Sequence, residues 1–198
     1  MRAARQSKGI FCIEGIWEAD LRTGSTVRPL LELLRLNAGI PYIHRECATG
    51  VELEFYLSKW VLKSYSKYPI LYLASHGDQF GIKIADGFYD LDSLAEFIGS
   101  ESFNRIVVIS SCSTLNVDKR NLRRFVESTG CLAICGYKAD VDWMRSAAFE
   151  LLLLYEMQEN EFSGRGISAI ERKTDLLSKS FPDLQYRIVT NRMKDSKK

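Results

Sequence analysis

The sequence has only two histidines, His44 and His76, and they stand far apart. It has no Cys-x-x-Cys pair and no histidine cluster, and Cys131 and Cys135 lie four apart without partners, so the ligand spacing of a zinc site is missing. No metal or cofactor is expected. No apolar run approaches the roughly 18 residues that a membrane-spanning helix needs. The charge is nearly balanced, 27 basic against 25 acidic residues for a formal net of +2, which gives no reason to expect nucleic acid or a membrane surface as partner. No stretch rich in Pro, Gly or Ser interrupts the chain, and there is no internal repeat or low-complexity segment, so residues 1–198 read as one domain. The first fifteen residues lack the order of basic start, apolar run and small-residue cleavage site that marks a secretory signal, and a cytoplasmic location is expected. Five cysteines are an odd number; Cys12, Cys131 and Cys135 fall in apolar, strand-like runs and read as small buried hydrophobes rather than a disulfide framework. Basic residues gather at both ends (Arg2, Arg5, Lys8; Arg192, Lys194, Lys197, Lys198) and read as solvated, frayed termini.

What is present is a regular alternation. Gly9 to Trp17, Ile40 to His44, Pro69 to Ser75, Arg105 to Ser111, Cys131 to Tyr137 and Leu184 to Thr190 are apolar runs of strand length. Between them lie amphipathic segments. One follows Thr26, with Val27, Leu30, Leu31 and Leu34 on one face, Pro29 in its first turn and Gly39 at its end. A second opens on the capping box Thr49/Glu52 and runs to about Tyr65. Others begin at Asp92, Lys119, Val141 and Ile167. Between the third and fourth strands, Ile82 to Ile84 and Phe88 to Tyr89 flank Asp86-Gly87, a hairpin signal. Continuous apolar strands alternating with amphipathic helices predict a three-layer α/β/α sandwich with a mostly parallel sheet of about six strands and an inserted β-hairpin.

In such a sheet, ligands gather at the carboxyl ends of the strands. Two strands end there in reactive residues: Ser75-His76-Gly77-Asp78 and Ser111-Cys112-Ser113-Thr114. If these strands are neighbours, His76 and Cys112 emerge on the same edge and can face each other. An imidazole can take the proton of a thiol that is otherwise mostly protonated at neutral pH. The amides of Gly77 and Cys112 can form an oxyanion hole, and Ser110, Ser111 and Ser113 leave room for a substrate backbone. Each residue alone is commonplace, a turn histidine or a core cysteine; it is the pairing at two strand ends that points to chemistry.

The blocks YPILYLASHGD and RIVVISSCST resemble the His-Gly and Ser/Ala-Cys signature of the caspase-like (clan CD) cysteine peptidases. The CHAT branch is the most similar: the hairpin and short helix in the spacer, the block TGCLAICGYKADVDW and the long helix after it have counterparts there. The resemblance is good over residues 65 to 160 and holds only as fold before them. It implies a cysteine endopeptidase acting on a protein or peptide substrate, with Cys112 as nucleophile, His76 as general base and acid, and Gly77 as an oxyanion donor. It also implies restraint by a sensor protein, a small signal molecule or self-association and, in a microbe, a role in stress response or antiphage defence. Two departures stand out. Ser111-Cys112-Ser113-Thr114 replaces the caspase Gln-Ala-Cys-Arg-Gly, so an aspartate preference is not implied, and no glycine follows Cys112 before Gly130. A CHAT-like binding module without activity therefore stays open as an alternative.

For specificity, Asp140 and Asp142 follow the Cys131–Tyr137 strand and would favour a basic side chain if they face the pocket. The plainer alternative is that one of them caps the next helix, with Asp140 well placed to do so. Ser111 is a candidate substrate contact. Asp78 either orients His76, binds substrate or only makes a turn. Glu14, Trp17 and Glu18 end the first strand at the same edge and either line the site or pack the edge, and His44 reads as a surface or supporting residue.

Overall fold

Four strands are buried on every residue: β1 (Ile10–Gly15), β3 (Ile70–Ala74), β7 (Ile106–Ser110) and β8 (Ala133–Tyr137). A strand with no solvent face must be covered above and below, and that requirement builds the layers. In the computed structural model, which describes residues 7–20, 22, 24–84 and 87–191, these strands form a sheet with β2 (Tyr42–Cys47) at one edge and β9 (Tyr186–Thr190) at the other, in the order β2-β1-β3-β7-β8-β9. All neighbours run parallel except β9, which is antiparallel to β8.

Alternate residues along each strand serve opposite faces. Ile10, Cys12, Ile70 and Tyr72 meet α1 (Arg28–Ala38), α5 (Trp143–Glu156) and α6 (Gly164–Ser178) through Leu31, Phe149 and Ile170. Phe11, Ile13, Leu71 and Leu73 meet α2 (Gly50–Trp60), α3 (Leu91–Ile98) and α4 (Lys119–Thr129) through Leu57, Leu94 and Phe125. The expected three-layer sandwich and six-stranded sheet are therefore present. The expected hairpin is β5 (Gly81–Ile84) with β6 (Gly87–Tyr89), to which β4 (Gly77–Asp78), unforeseen, adds a third antiparallel strand. Its turn residues Ala85 and Asp86 lie outside the described residues.

The local signals act as anticipated at several ends. Thr49 Oγ1 accepts from the Glu52 amide and Glu52 Oε2 accepts from the Thr49 amide, closing the capping box. Gly39 ends α1 in the left-handed region, φ 64°, where glycine carries no Cβ penalty. Elsewhere tertiary packing moves a boundary. The second helix stops at Trp60, whose indole donates to the Tyr68 carbonyl, and a separate 3₁₀ turn covers Lys63–Tyr65. Helix α6 starts at Gly164, earlier than its apolar pattern shows, because Ser163 caps it through the Gly166 amide.

Cys12, Cys131 and Cys135 are fully buried, as their apolar context implies. The reading of Lys8 as part of a frayed end is corrected: its Nζ donates to the Gln158 carbonyl and lies over the Phe162 ring. The other basic residues of both ends lie outside the described residues. Among the described residues, no helix is long and apolar enough to cross a membrane.

Candidate active site

Strands β3 and β7 are parallel neighbours with Ala74 opposite Ser110, so the segments leaving them emerge side by side. Two hydrogen bonds lock the two exits together and a third steadies the His76 side. The Ser75 amide donates to the Ser110 carbonyl at 3.2 Å, Ser111 Oγ donates to the Ser75 carbonyl at 2.7 Å, and Ser75 Oγ donates to the His76 carbonyl at 2.9 Å. The small residues around the thiol thus join one loop to the other. Ser111, expected to touch substrate, is buried in this tie and also lines the cavity described below.

His76 is exposed, and its Nε2 donates to the Trp17 carbonyl at 2.6 Å while the two rings meet edge to face at 5.2 Å. With Nε2 carrying the proton, the Nδ1 lone pair of the neutral ring is left to accept another. Cys112 is half-buried at the head of a turn. The thiol and the imidazole line one cavity of about 420 Å³, without a hydrogen bond between them among the described residues.

The turn after Cys112 explains how the chain dispenses with a glycine there. Ser113 takes φ 52°, a left-handed conformation that costs a non-glycine residue about 1 kcal/mol. Its amide donates to the Ala139 carbonyl at 3.0 Å and its Oγ to Asp140 Oδ1 at 2.8 Å, which hold it in place. Asp140 is therefore committed to this turn. Asp142 caps α5, accepting from the Arg145 amide at 3.0 Å, so the helix begins one residue after it and the capping role falls on Asp142 instead of Asp140. Neither lines the cavity: the Asp140 carboxylate is turned to the Ser113 hydroxyl and that of Asp142 to the Arg145 amide. Asp78 accepts from the Phe80 amide at 2.7 Å and belongs to a tight turn; it does not orient His76.

Gly77 sits where the two exits touch. A Cβ there would collide with Ser111 Oγ and lie 2.7 Å from Thr114 Oγ1 and 2.8 Å from the Gly81 carbonyl oxygen. The Lys83 amide donates to the His76 carbonyl, so by the antiparallel alternation the next pair, Gly77 with Ile82, exchanges no bonds and the Gly77 amide points away from β5. The Cys112 amide likewise donates to no carbonyl among the described residues.

The loop that presents Trp17 is organised by Glu14, only 2% exposed. Its carboxylate accepts from Trp17 Nε1, Thr26 Oγ1, the Val27 amide and His44 Nε2. Burial acts to raise its pKa, but these hydrogen bonds outweigh it and leave the carboxyl below the usual range. The open choice for the first strand's end is thereby divided: Trp17 lines the cavity, Glu14 supports it with His44 behind, and Glu18 bonds Ser25 across the loop.

Glu150 escaped the sequence reading. It lies on the buried face of α5, 2% exposed, among the residues that line the cavity. Oε1 accepts from Ser110 Oγ at 2.5 Å and Tyr137 OH at 2.8 Å; Oε2 accepts from Tyr72 OH at 2.5 Å. Burial pushes its carboxyl above the ordinary value and the three hydroxyls only partly offset that. The available signal was a lone acid inside the apolar run AAFELLLL.

Residues 7–177 match the model of a family of unknown function, DUF6642. No curated protein matches in sequence. Among solved structures, caspase-1 from Spodoptera frugiperda superposes with a TM-score of 0.57 over 94% of this chain and 87% of that one, at 13% identity. At that identity the likeness is one of fold, and it is a caspase-like fold.

Proposed function

We propose that this chain, which belongs to the family of unknown function DUF6642, is a cysteine endopeptidase built on Cys112 and His76. The observation that carries the reading is their placement: two adjacent parallel strands deliver both to one cavity, with His76 Nε2 committed to the Trp17 carbonyl. In the reaction, Nδ1 of His76 takes the thiol proton as Cys112 Sγ attacks the peptide carbonyl. The amides of Gly77 and Cys112 receive the developing oxyanion. Collapse gives a thioester and releases the amine, which takes the proton from His76. Water, deprotonated by the same ring, then hydrolyses the thioester and returns the thiol.

The narrower reading is a CHAT-type peptidase held in check by a sensor protein, a small signal molecule or self-association. A cytoplasmic role in microbial stress response or antiphage defence follows from that branch. The hairpin sheet after His76, the block from Thr129 to Trp143 and the long α5 support it. The alternative is a binding module of the same fold, favoured by the lack of a hydrogen bond between Cys112 and His76 among the described residues.

The deciding test is the rate of Cys112 alkylation by iodoacetamide across pH, in the protein and in His76→Ala. A peptidase gives a thiolate fraction that extends below the ordinary thiol range and shrinks in the variant. A thiol that titrates like free cysteine, unchanged in His76→Ala, would sink the proposal in favour of the binding module.

A further inference from the structure

The cavity beside Cys112 has an uneven chemistry. Leu30 from α1 and Trp17 and Trp143 at the mouth make its walls apolar. Among its lining residues is one buried acid, Glu150. Buried carboxylates in folded proteins are normally matched by a cation, because hydroxyl donors alone do not replace the lost hydration of a charge. Glu150 has only hydroxyl partners, those of Ser110, Tyr72 and Tyr137, and no Lys, Arg or His among the described residues bonds it. A carboxylate offers about four acceptor positions, two on each oxygen. Oε1 uses both and Oε2 uses one, which leaves a place on Oε2.

The geometry points to a pocket for a long cationic side chain, lysine or arginine, whose stem lies along Leu30 and the two indoles and whose charged tip pairs with Glu150. Two features support that occupant over an apolar one. A wholly apolar side chain would bury the carboxylate further without a partner, whereas an ammonium or guanidinium supplies the missing charge in a charge-assisted bond. The tryptophans at the entrance, 4.7 Å apart edge to face, also present aromatic surface that cations favour over neutral groups. The carboxylates that sequence alone put forward for this task, Asp140 and Asp142, are occupied by the Ser113 hydroxyl and the Arg145 amide. Glu150 is the specificity residue in their stead. As an assignment of substrate class this deepens the peptidase reading and rests on it, while the pocket itself can be probed without catalysis.

The first measurement is binding of butylguanidinium and of its neutral counterpart butylurea to the intact protein, read from tryptophan fluorescence or calorimetry. The expected result is at least about tenfold tighter binding of the cation, the factor one charge-assisted bond supplies, and loss of that preference in Glu150→Gln. Equal affinity for the two, or binding of neither, overturns the inference. This comparison is made on the unaltered chain, so a variant that fails to fold does not weaken it. The second measurement labels Cys112 with peptidyl acyloxymethyl ketones ending in lysine or norleucine, read by intact mass. Faster labelling by the lysine reagent supports the assignment, and faster labelling by norleucine overturns it. Cation binding together with a thiol that ignores His76 would leave the pocket standing and remove the peptidase. Activated labelling with no cation preference would do the reverse.

Discussion

His76 donates its Nε2 proton to the carbonyl of Trp17, a residue 59 positions earlier in the chain, at 2.6 Å. The acceptor is backbone, so no side-chain change at position 17 removes it directly. What places it is Glu14, whose carboxylate gathers the Trp17 indole, Thr26, the Val27 amide and His44. The ring that shares the cavity with Cys112 is thus oriented by the end of β1, two residues beyond that strand's last position.

Glu14 is accordingly a positioning residue. Glu14→Ala removes the shared acceptor and leaves the Val27 amide and the Trp17 indole without it. The expected cost is about 2 to 4 kcal/mol in urea unfolding. A merely structural residue would stop there. Loss of the ring's orientation, by contrast, shifts the pH profile of Cys112 alkylation toward that of an ordinary thiol even under conditions where the variant is fully folded. Glu14→Gln, which keeps one acceptor oxygen, should recover part of both effects. An unchanged alkylation profile in folded Glu14→Ala would separate Glu14 from the site.

Glu150 predicts how stability varies with pH. Its folded pKa lies above the ordinary 4.5 because it is buried. Between those two values the folded chain keeps a proton that the unfolded chain releases, so stability is highest below 4.5 and falls as pH rises through the raised value. Glu150→Gln abolishes that contribution. Melting temperatures of the two proteins, followed from acid to neutral pH, should show the variant gaining on the parent as pH rises. Parallel curves would mean that the carboxyl is not perturbed.

The fold was legible because its strands are apolar throughout and its helices carry clear caps. YPILYLAS and RIVVISS admit no alternation and require cover on both faces, and Thr49/Glu52 and Gly39 behave locally as their chemistry dictates. The meeting of His76 and Cys112 in one cavity was legible for the same reason, since strand ends in a parallel sheet share an edge. The cavity was not. Asp140 and Asp142 lie in a loop, where a side chain can turn to substrate, to a helix amide or to a strained neighbour. The choice fell on Ser113 and Arg145 because a left-handed serine and a helix start both need an acceptor. Glu150 stayed hidden because its partners, Tyr72 and Tyr137, are read as apolar strand residues until the third dimension aims their hydroxyls at one point.

Gly77 offers the sharpest separation of structure from chemistry. In Gly77→Ala the new methyl meets Ser111 Oγ, Thr114 Oγ1 and the Gly81 carbonyl oxygen. Side-chain rotation relieves the first two, but the carbonyl is backbone, so the β3 exit and the hairpin sheet must part slightly, at about 1 to 3 kcal/mol in unfolding free energy. If the Gly77 amide holds the oxyanion, that displacement also moves the donor. Loss of one such donor lowers turnover by roughly a hundredfold or more. Iodoacetamide forms no tetrahedral oxyanion, so alkylation of Cys112 should slow only a few-fold in the same variant. Peptide turnover and alkylation measured side by side therefore discriminate. A collapse of turnover alone assigns the amide to the reaction, whereas proportional losses in both would mean that Gly77 does no more than let the two loops touch.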